Sequence, residues 1–209
     1  MLNIGVLVSG GGTNLQALLD AERNGILHSG RIALVVSSKE GAYALTRAKN
    51  AGIETTALPK EKQGKVPETP DDYGKRLVAL LREKQIDLVV LAGFMLILAP
   101  CVIEAYPERI VNVHPSLIPS FCGEGFYGLK VHEAALAKGV KVTGATVHLV
   151  NEIPDGGRIL AQKAVDVLPE DTPETLQKRV MEQAEWLLLP RETERLAAKL
   201  SQDIKQEAL

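Results

Sequence analysis

The sequence predicts an α/β fold with a doubly wound, mostly parallel sheet that is flanked by helices and ends in an antiparallel C-terminal strand pair. Three observations indicate this fold. Short apolar runs alternate with helical stretches up to about residue 115, the runs are apolar on both faces, and two strands joined by a turn follow later. Near-continuous apolar strands that alternate with helices are typical of a parallel sheet covered on both sides.

The first half contains five predicted strands and three predicted helices. The strands are expected at residues 3–9, 31–37, 53–58, 87–92 and 109–114, and the helices at 13–25, 42–52 and 71–85. The first two helices run into Gly25 and Gly52, and glycine is the residue that most often follows a last helical turn. The segment 59–70 is rich in Pro, Lys and Glu, so we expect a mobile surface loop there.

The second half is expected to begin with a loop to about Leu129 and a short helix at 131–139. Two strands follow at 141–150 and 158–167. The turn sequence NEIPDGG lies between them and predicts a hairpin. The sheet is therefore expected to end with antiparallel strands.

The last predicted element is a C-terminal helix. It is expected to begin at Asp171 or Thr172, because Pro173 suits a first helical turn and Glu174 complements the positive end of the helix dipole. Pro190 lacks the N–H group that a helix interior uses, so we expect it to kink or divide this helix.

Composition limits the function classes. The chain has 209 residues, 45% of them hydrophobic and 24% charged, as in ordinary soluble domains. Its net charge of −2, with Lys and Arg spread widely, argues against nucleic-acid binding. Cys101 and Cys122 are expected to be reduced thiols. The N-terminal apolar run is too short for a signal or membrane segment, so we expect a cytoplasmic protein with no membrane partner.

A glycine-rich turn, SGGGTNL, lies between the first strand and the first helix. Glycines let a ligand approach the backbone, and the N–H groups at a helix N-terminus suit a phosphate. Leu15 stands where the dinucleotide motif G-x-G-x-x-G needs its third glycine, so a phosphomonoester fits better. Gly12, Thr13 and Asn14 are the candidate ligands. The alternative is a tight turn without a ligand, in which Thr13 caps the helix.

A polar pair stands at the carboxyl end of the fifth strand. Asn112 and His114 are two residues apart, so their side chains point the same way. Open α/β sheets bind ligands at the carboxyl ends of their strands, where the glycine turn also lies. Both residues are therefore catalytic candidates, with a hydrogen-bonded core histidine as the alternative for His114.

Other polar residues give weaker signals. Asp155 lies in PDGG, a sequence typical of turns, and the residues alone favour a turn role for it. His148 is expected in the core and His132 at the surface. A metal site is not favoured, since no recognised ligand spacing connects Cys101, His114, Cys122 and His132.

Taken in order, VLVSGGGTNL, VVLAGFM, NVHPSLIPSF, GATVHLV and DGG resemble the phosphoribosylglycinamide formyltransferase family, the folate-dependent enzymes of purine biosynthesis. The resemblance extends from residue 3 to about residue 190. It implies transfer of a formyl group from 10-formyltetrahydrofolate to the amine of glycinamide ribonucleotide. The implied products are formylglycinamide ribonucleotide and tetrahydrofolate.

The resemblance also implies residue roles. Asn112 and His114 would stabilise the oxyanion of a tetrahedral intermediate, and Asp155 would raise the pKa of His114 and assist proton transfer. The implied binding residues are Gly12, Thr13, Asn14 and Glu185 for the ribonucleotide, and Met95, Leu96, Ile97, Leu98 and Asn112 for folate. One domain, 1–209, is expected, with a phosphate-binding half (1–100) and a catalytic and folate-binding half (101–209).

The sequence departs from the family pattern at four places. Leu96 replaces a common Arg. Pro70 and Asp71 stand where many members carry an Arg for the folate tail. The loop from Cys122 to Leu129 is several residues longer than usual, and the helix around Glu185 carries one extra residue.

Other functions remain open from sequence. Formyltetrahydrofolate deformylase and methionyl-tRNA formyltransferase share the chemistry, but usually carry an additional domain that we do not expect here. A non-catalytic nucleotide-binding module would bind phosphate without needing Asn112, His114 and Asp155 together. An NAD oxidoreductase is weakened by the missing third glycine and the absence of an acidic residue after the second strand.

Overall fold

The computed structural model describes residues 1–63 and 66–207. Its strands are β1 (Leu2–Val8), β2 (Gly30–Ser37), β3 (Glu54–Ala57), β4 (Lys62–Gln63), β5 (Val66–Pro67), β6 (Leu88–Leu91), β7 (Ile110–His114), β8 (Val142–Leu149) and β9 (Ile159–Asp166). Its helices are α1 (Thr13–Arg23), α2 (Tyr43–Asn50), α3 (Pro70–Glu83), α4 (Pro100–Ala105), α5 (Leu129–Lys138), α6 (Pro173–Val180) and α7 (Trp186–Glu207), with a π-helical segment, Met181–Glu185, between the last two.

Seven strands form one sheet in the order β3-β2-β1-β6-β7-β8-β9. The first five in this order are parallel, while β8 runs antiparallel to both β7 and β9. This confirms the predicted fold class and the C-terminal hairpin. The chain order reverses between β1 and β6, and such a switch point opens a crevice at the carboxyl ends of the strands.

Each face of the sheet carries its own apolar layer. Val6 lies in the layer formed with α1, α2 and the C-terminal helices, while its neighbour Leu7 lies in the layer formed with α3 and α4. Consecutive strand residues point to opposite faces, so two covered faces require a strand that is apolar throughout. The observed layers therefore explain the continuous apolar runs of the sequence.

The first two helices end where their following glycines predicted. Gly25 and Gly52, with φ angles of 72° and 76°, follow the last turns of α1 and α2. The left-handed conformation at that position suits glycine because it has no Cβ. The sequence patterns did not predict α4, whose six residues are too few to show a helical period.

The predicted loop 59–70 contains a small antiparallel hairpin, β4 with β5, of which Gly64 and Lys65 lie outside the described residues. Arg76 on α3 contacts Glu61 at 2.7 Å and Glu68 at 2.8 Å, which ties both sides of the hairpin to the helix. The mobility of this segment stays a prediction.

The C-terminal helix begins as predicted. Thr172 caps α6, and its hydroxyl and that of Thr175 bond reciprocally to each other's backbone N–H. Of the two outcomes expected at Pro190, division of the helix is wrong, because α7 continues through it, while a kink stays a prediction. The helical irregularity instead lies upstream, in the π-helical segment. Across residues 1–63 and 66–207, no helix is long and apolar enough to cross a membrane.

Candidate active site

Four polar side chains face one another across β7 and β8. In the antiparallel register Asn112 stands opposite His148, and His114 stands opposite Thr146. Residues directly opposite in a sheet share a face, so the amide Nδ2 of Asn112 lies 3.1 Å from Nε2 of His148. His148 is buried, as expected, but it also belongs to the polar cluster. The sequence contains the alternation that places it there, although its partner can be identified only from the strand register.

Asp155 joins this cluster from the turn between β8 and β9. Its Oδ2 lies 3.4 Å from Nδ1 of His114, and its Oδ1 lies 3.5 Å from Nε2 of His148. Asp155 has a φ of 56°, a left-handed conformation that Asp tolerates better than most residues. It is therefore a turn residue that also contacts both histidines. The structure brings together the three residues predicted as catalytic, while their roles stay predictions.

The loop after β7 holds both members of the His114–Asp155 pair. The carbonyl of Phe121 lies 2.8 Å from Nε2 of His114, and the N–H of Gly123 donates to Oδ2 of Asp155 at 2.9 Å. Because a carbonyl can only accept, Nε2 of His114 carries a hydrogen. The other nitrogen, Nδ1, is therefore the one that gains or loses a proton beside Asp155.

Asp155 acts on His114 in the expected direction, because its carboxylate raises the pKa of the ring, but the net pKa is not raised. Burial dominates and lowers the pKa of His114 below its usual value, although the carboxylate of Asp155 and the Phe121 carbonyl act in the opposite direction. The ring is only 4% exposed, and burial disfavours a charged imidazolium. The sequence showed the neighbouring charge but could not show how deeply the ring is buried.

The pKa of Asp155 lies below its usual value. Burial by itself would raise it, but the contact with His148, the hydrogen bond from Gly123 and the charge interactions with the two histidines outweigh that effect. His132 on α5, expected at the surface, is fully buried, and this lowers its pKa to about 4. At neutral pH the cluster thus holds an ionised Asp155 beside a mainly neutral His114.

The glycine turn leads directly into α1. Gly12 is the N-cap, with a φ of 75°, and no side chain caps the helix, so the alternative of a Thr13 cap is wrong. A Cβ on Gly12 would lie 2.6 Å from Cβ of Ala44, whereas Gly10 and Gly11 face open space and are exposed. The N–H groups of the first helical turn have no partner within the helix. This geometry suits an anion, and the phosphate role of Gly12, Thr13 and Asn14 stays a prediction.

Glu185 is buried next to this turn. Nδ2 of Asn14 donates to its Oε2 at 2.7 Å, and the residue is only 6% exposed, so this helix acid does not face solvent. Burial raises the pKa of Glu185 to about 7, against the smaller effect of the Asn14 hydrogen bond. Glu185 ends the π-helical segment, whose wider turn accommodates an additional residue. The extra residue suggested by the sequence therefore leaves this carboxyl directed at α1.

The predicted folate segment lies between β6 and α4. Met95 and Ile97 are 47% and 68% exposed, whereas Leu96 and Leu98 pack against the core layer with α3 and α4. The N–H of Met95 donates to Oγ of Ser9 at 2.9 Å, which ties the segment to the end of β1. The segment thus borders the switch point of the sheet. It offers two exposed apolar side chains, and its folate role stays a prediction.

A separate cavity of about 390 Å³ lies beside α1. It is lined in part by Gln16, Arg47 and Trp186 and shares Thr13 with the glycine turn, but it contains none of the three catalytic candidates. Within the described part of the chain, no group of three or more His, Cys, Asp and Glu residues could hold a metal ion.

Comparison with known proteins gives concordant results. The family described as formyl transferase matches residues 2–192. A chloroplastic phosphoribosylglycinamide formyltransferase of Arabidopsis thaliana is 41% identical over 179 residues, and the match covers 85% of this chain and 60% of that protein. A phosphoribosylglycinamide formyltransferase of Haemophilus influenzae is 40% identical over 190 residues, covering 91% of this chain and 84% of that protein.

A solved structure is also similar. The crystal structure of glycinamide ribonucleotide transformylase 1 from Symbiobacterium toebii has a TM-score of 0.85 and 39% sequence identity. The match covers 95% of this chain and 89% of that one. The similarity therefore extends over both the glycine turn and the polar cluster, although the chain spans about 60% of the length of the plant relative.

Proposed function

Because the chain belongs to the formyl transferase family, we propose that it transfers the formyl group of 10-formyltetrahydrofolate to the amine of glycinamide ribonucleotide in purine biosynthesis. The products are formylglycinamide ribonucleotide and tetrahydrofolate. The observation that carries this proposal is the meeting of Asn112, His114 and Asp155 at the carboxyl end of β7, with His114 and Asp155 3.4 Å apart. The names of the plant and bacterial relatives support the choice of substrate.

The first step is attack of the substrate amine on the formyl carbon. A C–N bond forms and the formyl oxygen gains negative charge, so donors aimed at that oxygen lower the barrier. The amide of Asn112 carries two N–H groups. One N–H faces His148, and the other can be donated to the oxyanion.

Proton transfer falls to the His114–Asp155 pair. Attack leaves an extra proton on the amine nitrogen. Because Nε2 of His114 is bonded to the Phe121 carbonyl, the pair accepts this proton and holds it between Nδ1 of His114 and Oδ2 of Asp155. The proton then moves to N10 of the folate as the bond from the formyl carbon to N10 breaks. A neutral His114 beside an ionised Asp155 is suited to accept first and donate later.

The remaining predicted residues bind the two substrates. The phosphate lies at the N-terminus of α1, against the backbone of Gly12, Thr13 and Asn14. Glu185, held by Asn14 at 2.7 Å, accepts hydrogen bonds from the ribose hydroxyls. Exposed side chains of the segment 95–98 contact the pterin, since apolar and aromatic ligands bind apolar walls.

A direct assay tests the proposal. Purified protein is mixed with 10-formyltetrahydrofolate and glycinamide ribonucleotide, and folate absorbance and formylglycinamide ribonucleotide are followed. We expect both to change only when the ribonucleotide is present. Folate turnover without it would instead indicate a deformylase, and ribonucleotide binding without turnover would indicate a binding module.

A matched substrate sharpens the test. Glycinamide riboside has the same amine but no phosphate, so it should react with a greatly raised KM. An unchanged KM would contradict phosphate binding at the glycine turn.

A further inference from the structure

We infer that the segment Phe121–Gly123 is a positioning element of the catalytic pair. The Phe121 carbonyl fixes which nitrogen of His114 carries the resting proton, and the Gly123 N–H orients the carboxylate of Asp155 toward that ring. The catalytic consequence rests on the proposed function, but the positioning itself can be measured without turnover.

The contacts form a closed circuit. Starting from the loop, the Phe121 carbonyl bonds to Nε2 of His114, Nδ1 of His114 faces Oδ2 of Asp155 at 3.4 Å, and that same Oδ2 accepts the Gly123 N–H. Neither side chain can rotate without breaking a contact to the same three-residue segment. A single loop segment therefore sets the relative orientation of acid and base.

The backbone conformation makes both contacts possible. Phe121 and Gly123 have φ angles of 51° and 87°, in the left-handed region. A non-glycine residue there costs about 1–2 kcal/mol, so Phe121 must be held by its surroundings. Its ring packs edge-on against Phe126 of the same loop, with 6.4 Å between ring centroids. Sparsely populated conformations of this kind cluster at functional sites.

The other titratable groups around the pair are accounted for. His148 faces Oδ1 of Asp155 from β8. Burial and the nearby charge of Asp155 raise the pKa of the Cys122 thiol, and burial and the nearby charge of His114 lower the pKa of His132 on α5. Of the groups facing Asp155 in the described residues, the Gly123 N–H is the one that cannot titrate. It therefore favours the ionised carboxylate at every pH.

Two glycines of the loop provide a matched pair of variants. Gly123 and Gly125 have φ angles of 87° and 88°, and a Cβ on either one would meet open space. Gly123→Ala and Gly125→Ala therefore impose the same backbone strain, but only Gly123 contacts Asp155. Gly123→Asn is the conservative variant, because Asn adopts the left-handed conformation more readily than Ala.

The kinetic test compares pH profiles of kcat. Misplacement of reacting groups by about 1 Å can cost 10²-fold, so Gly123→Ala should lower kcat about 10- to 100-fold and move the acidic limb of the profile to higher pH. Gly125→Ala should keep the wild-type profile, and Gly123→Asn should restore it. Equal profiles for the two Ala variants would overturn the inference.

The second test is ¹⁵N NMR of the imidazoles in the unliganded protein, with the His114 signal assigned through His114→Gln. In wild type and Gly125→Ala, we expect His114 to carry its neutral-state proton on Nε2. In Gly123→Ala, we expect a raised pKa for the Asp155 carboxyl by ¹³C NMR. A wild-type His114 protonated on Nδ1, or an Asp155 indifferent to Gly123→Ala, would overturn the inference. Absence of formyl transfer would overturn only the proposed function, since these signals need no substrate.

Discussion

The two ends of the candidate site are built from different chemical groups: backbone at one end and side chains at the other. The binding end, where we propose that the phosphate binds, consists of backbone: exposed glycines lead into the N-terminus of α1 within five consecutive residues, 10–14. The chemical end, formed by Asn112, His114 and Asp155, consists of side chains from a strand and a turn. Asp155 lies some 40 residues after His114, so its part in the site is not visible from nearby sequence. Both ends lie where strands of one sheet terminate.

This difference determines how each end responds to its surroundings. Backbone N–H groups do not titrate, so the glycine turn should bind an anion over a wide pH range. The chemical end depends on the protonation of His114 and Asp155, whose pKa values both lie below their usual ones. Glu185 is the exception at the binding end, because it is a buried carboxyl with a pKa of about 7.

The largest expected effect comes from disabling the chemical end alone. Asp155→Asn keeps the shape of the side chain but removes its charge and its ability to take a proton. We expect kcat to fall by about 10²–10⁴-fold, the usual contribution of a general acid or base. The measurement is the formyl-transfer assay with glycinamide ribonucleotide.

The control for this variant is the binding end. The KM for the ribonucleotide should stay near wild type, because Asn14 and the glycine turn are unchanged. A near-normal kcat would remove Asp155 from the mechanism. A large rise in KM with an unchanged kcat would mean that the two ends are not separate in function.

Asn112→Ala removes the proposed oxyanion donor. We expect kcat to fall by about 10²–10³-fold, as for other single oxyanion donors. Asn112→Asp is the companion variant, since it keeps the size but places a negative charge beside the developing oxyanion, and it should be at least as slow. If Asn112→Asp were faster than Asn112→Ala, the amide would act through packing rather than by donating a hydrogen bond.

The same contrast explains what the sequence could predict about the site. The glycine turn is local in sequence, so seven consecutive residues were enough to identify it. Asn112 and His114 followed from the two-residue period of a strand. Asp155 came only from the family resemblance, because PDGG by itself indicates a turn. The contacts from Phe121 and Gly123 are backbone contacts, and no side-chain pattern encodes them.

The fold was predictable wherever a period repeats. The alternation of apolar runs gave the parallel sheet, and the turn between β8 and β9 gave the hairpin. The short helix α4 and the hairpin of β4 and β5 were missed, because few residues carry their pattern. The lowered pKa of His114 could not be predicted, since it depends on burial by residues distant in sequence.

Gly12→Ala tests whether the binding end depends on its backbone conformation. The left-handed φ of 75° costs an Ala about 1–2 kcal/mol, and contact with Ala44 at 2.6 Å adds about 1–3 kcal/mol of overpacking. We therefore expect the free energy of unfolding to fall by about 2–5 kcal/mol, measured by urea denaturation.

Gly11→Ala is the matched control, because its Cβ would meet open space and its φ is not positive. It should unfold like wild type yet bind the ribonucleotide more weakly, since the methyl group occupies the approach to the turn. Unaltered binding in Gly11→Ala would place the phosphate elsewhere.

Glu185→Gln tests the exception at the binding end, through the pH dependence of stability. The folded pKa of about 7 exceeds the unfolded value near 4.5, so the folded state holds its proton more tightly. The contribution of protonated Glu185 to the stability of the fold is fully present below pH 4.5 and is lost as pH rises through 7. Gln cannot titrate.

The free energy of unfolding of the variant, relative to wild type, should therefore increase as the pH rises from 4.5 to 7 and stay constant above 7. The gain should be on the order of 1–3 kcal/mol, since each pKa unit corresponds to about 1.4 kcal/mol. Urea unfolding of both proteins at pH 5 and pH 8 measures it, and groups common to both cancel in the difference. A stability difference that is the same at both pH values would mean that Glu185 is already ionised at pH 5. The carboxyl would then be stabilised by its surroundings, and the binding end would be as insensitive to pH as its backbone.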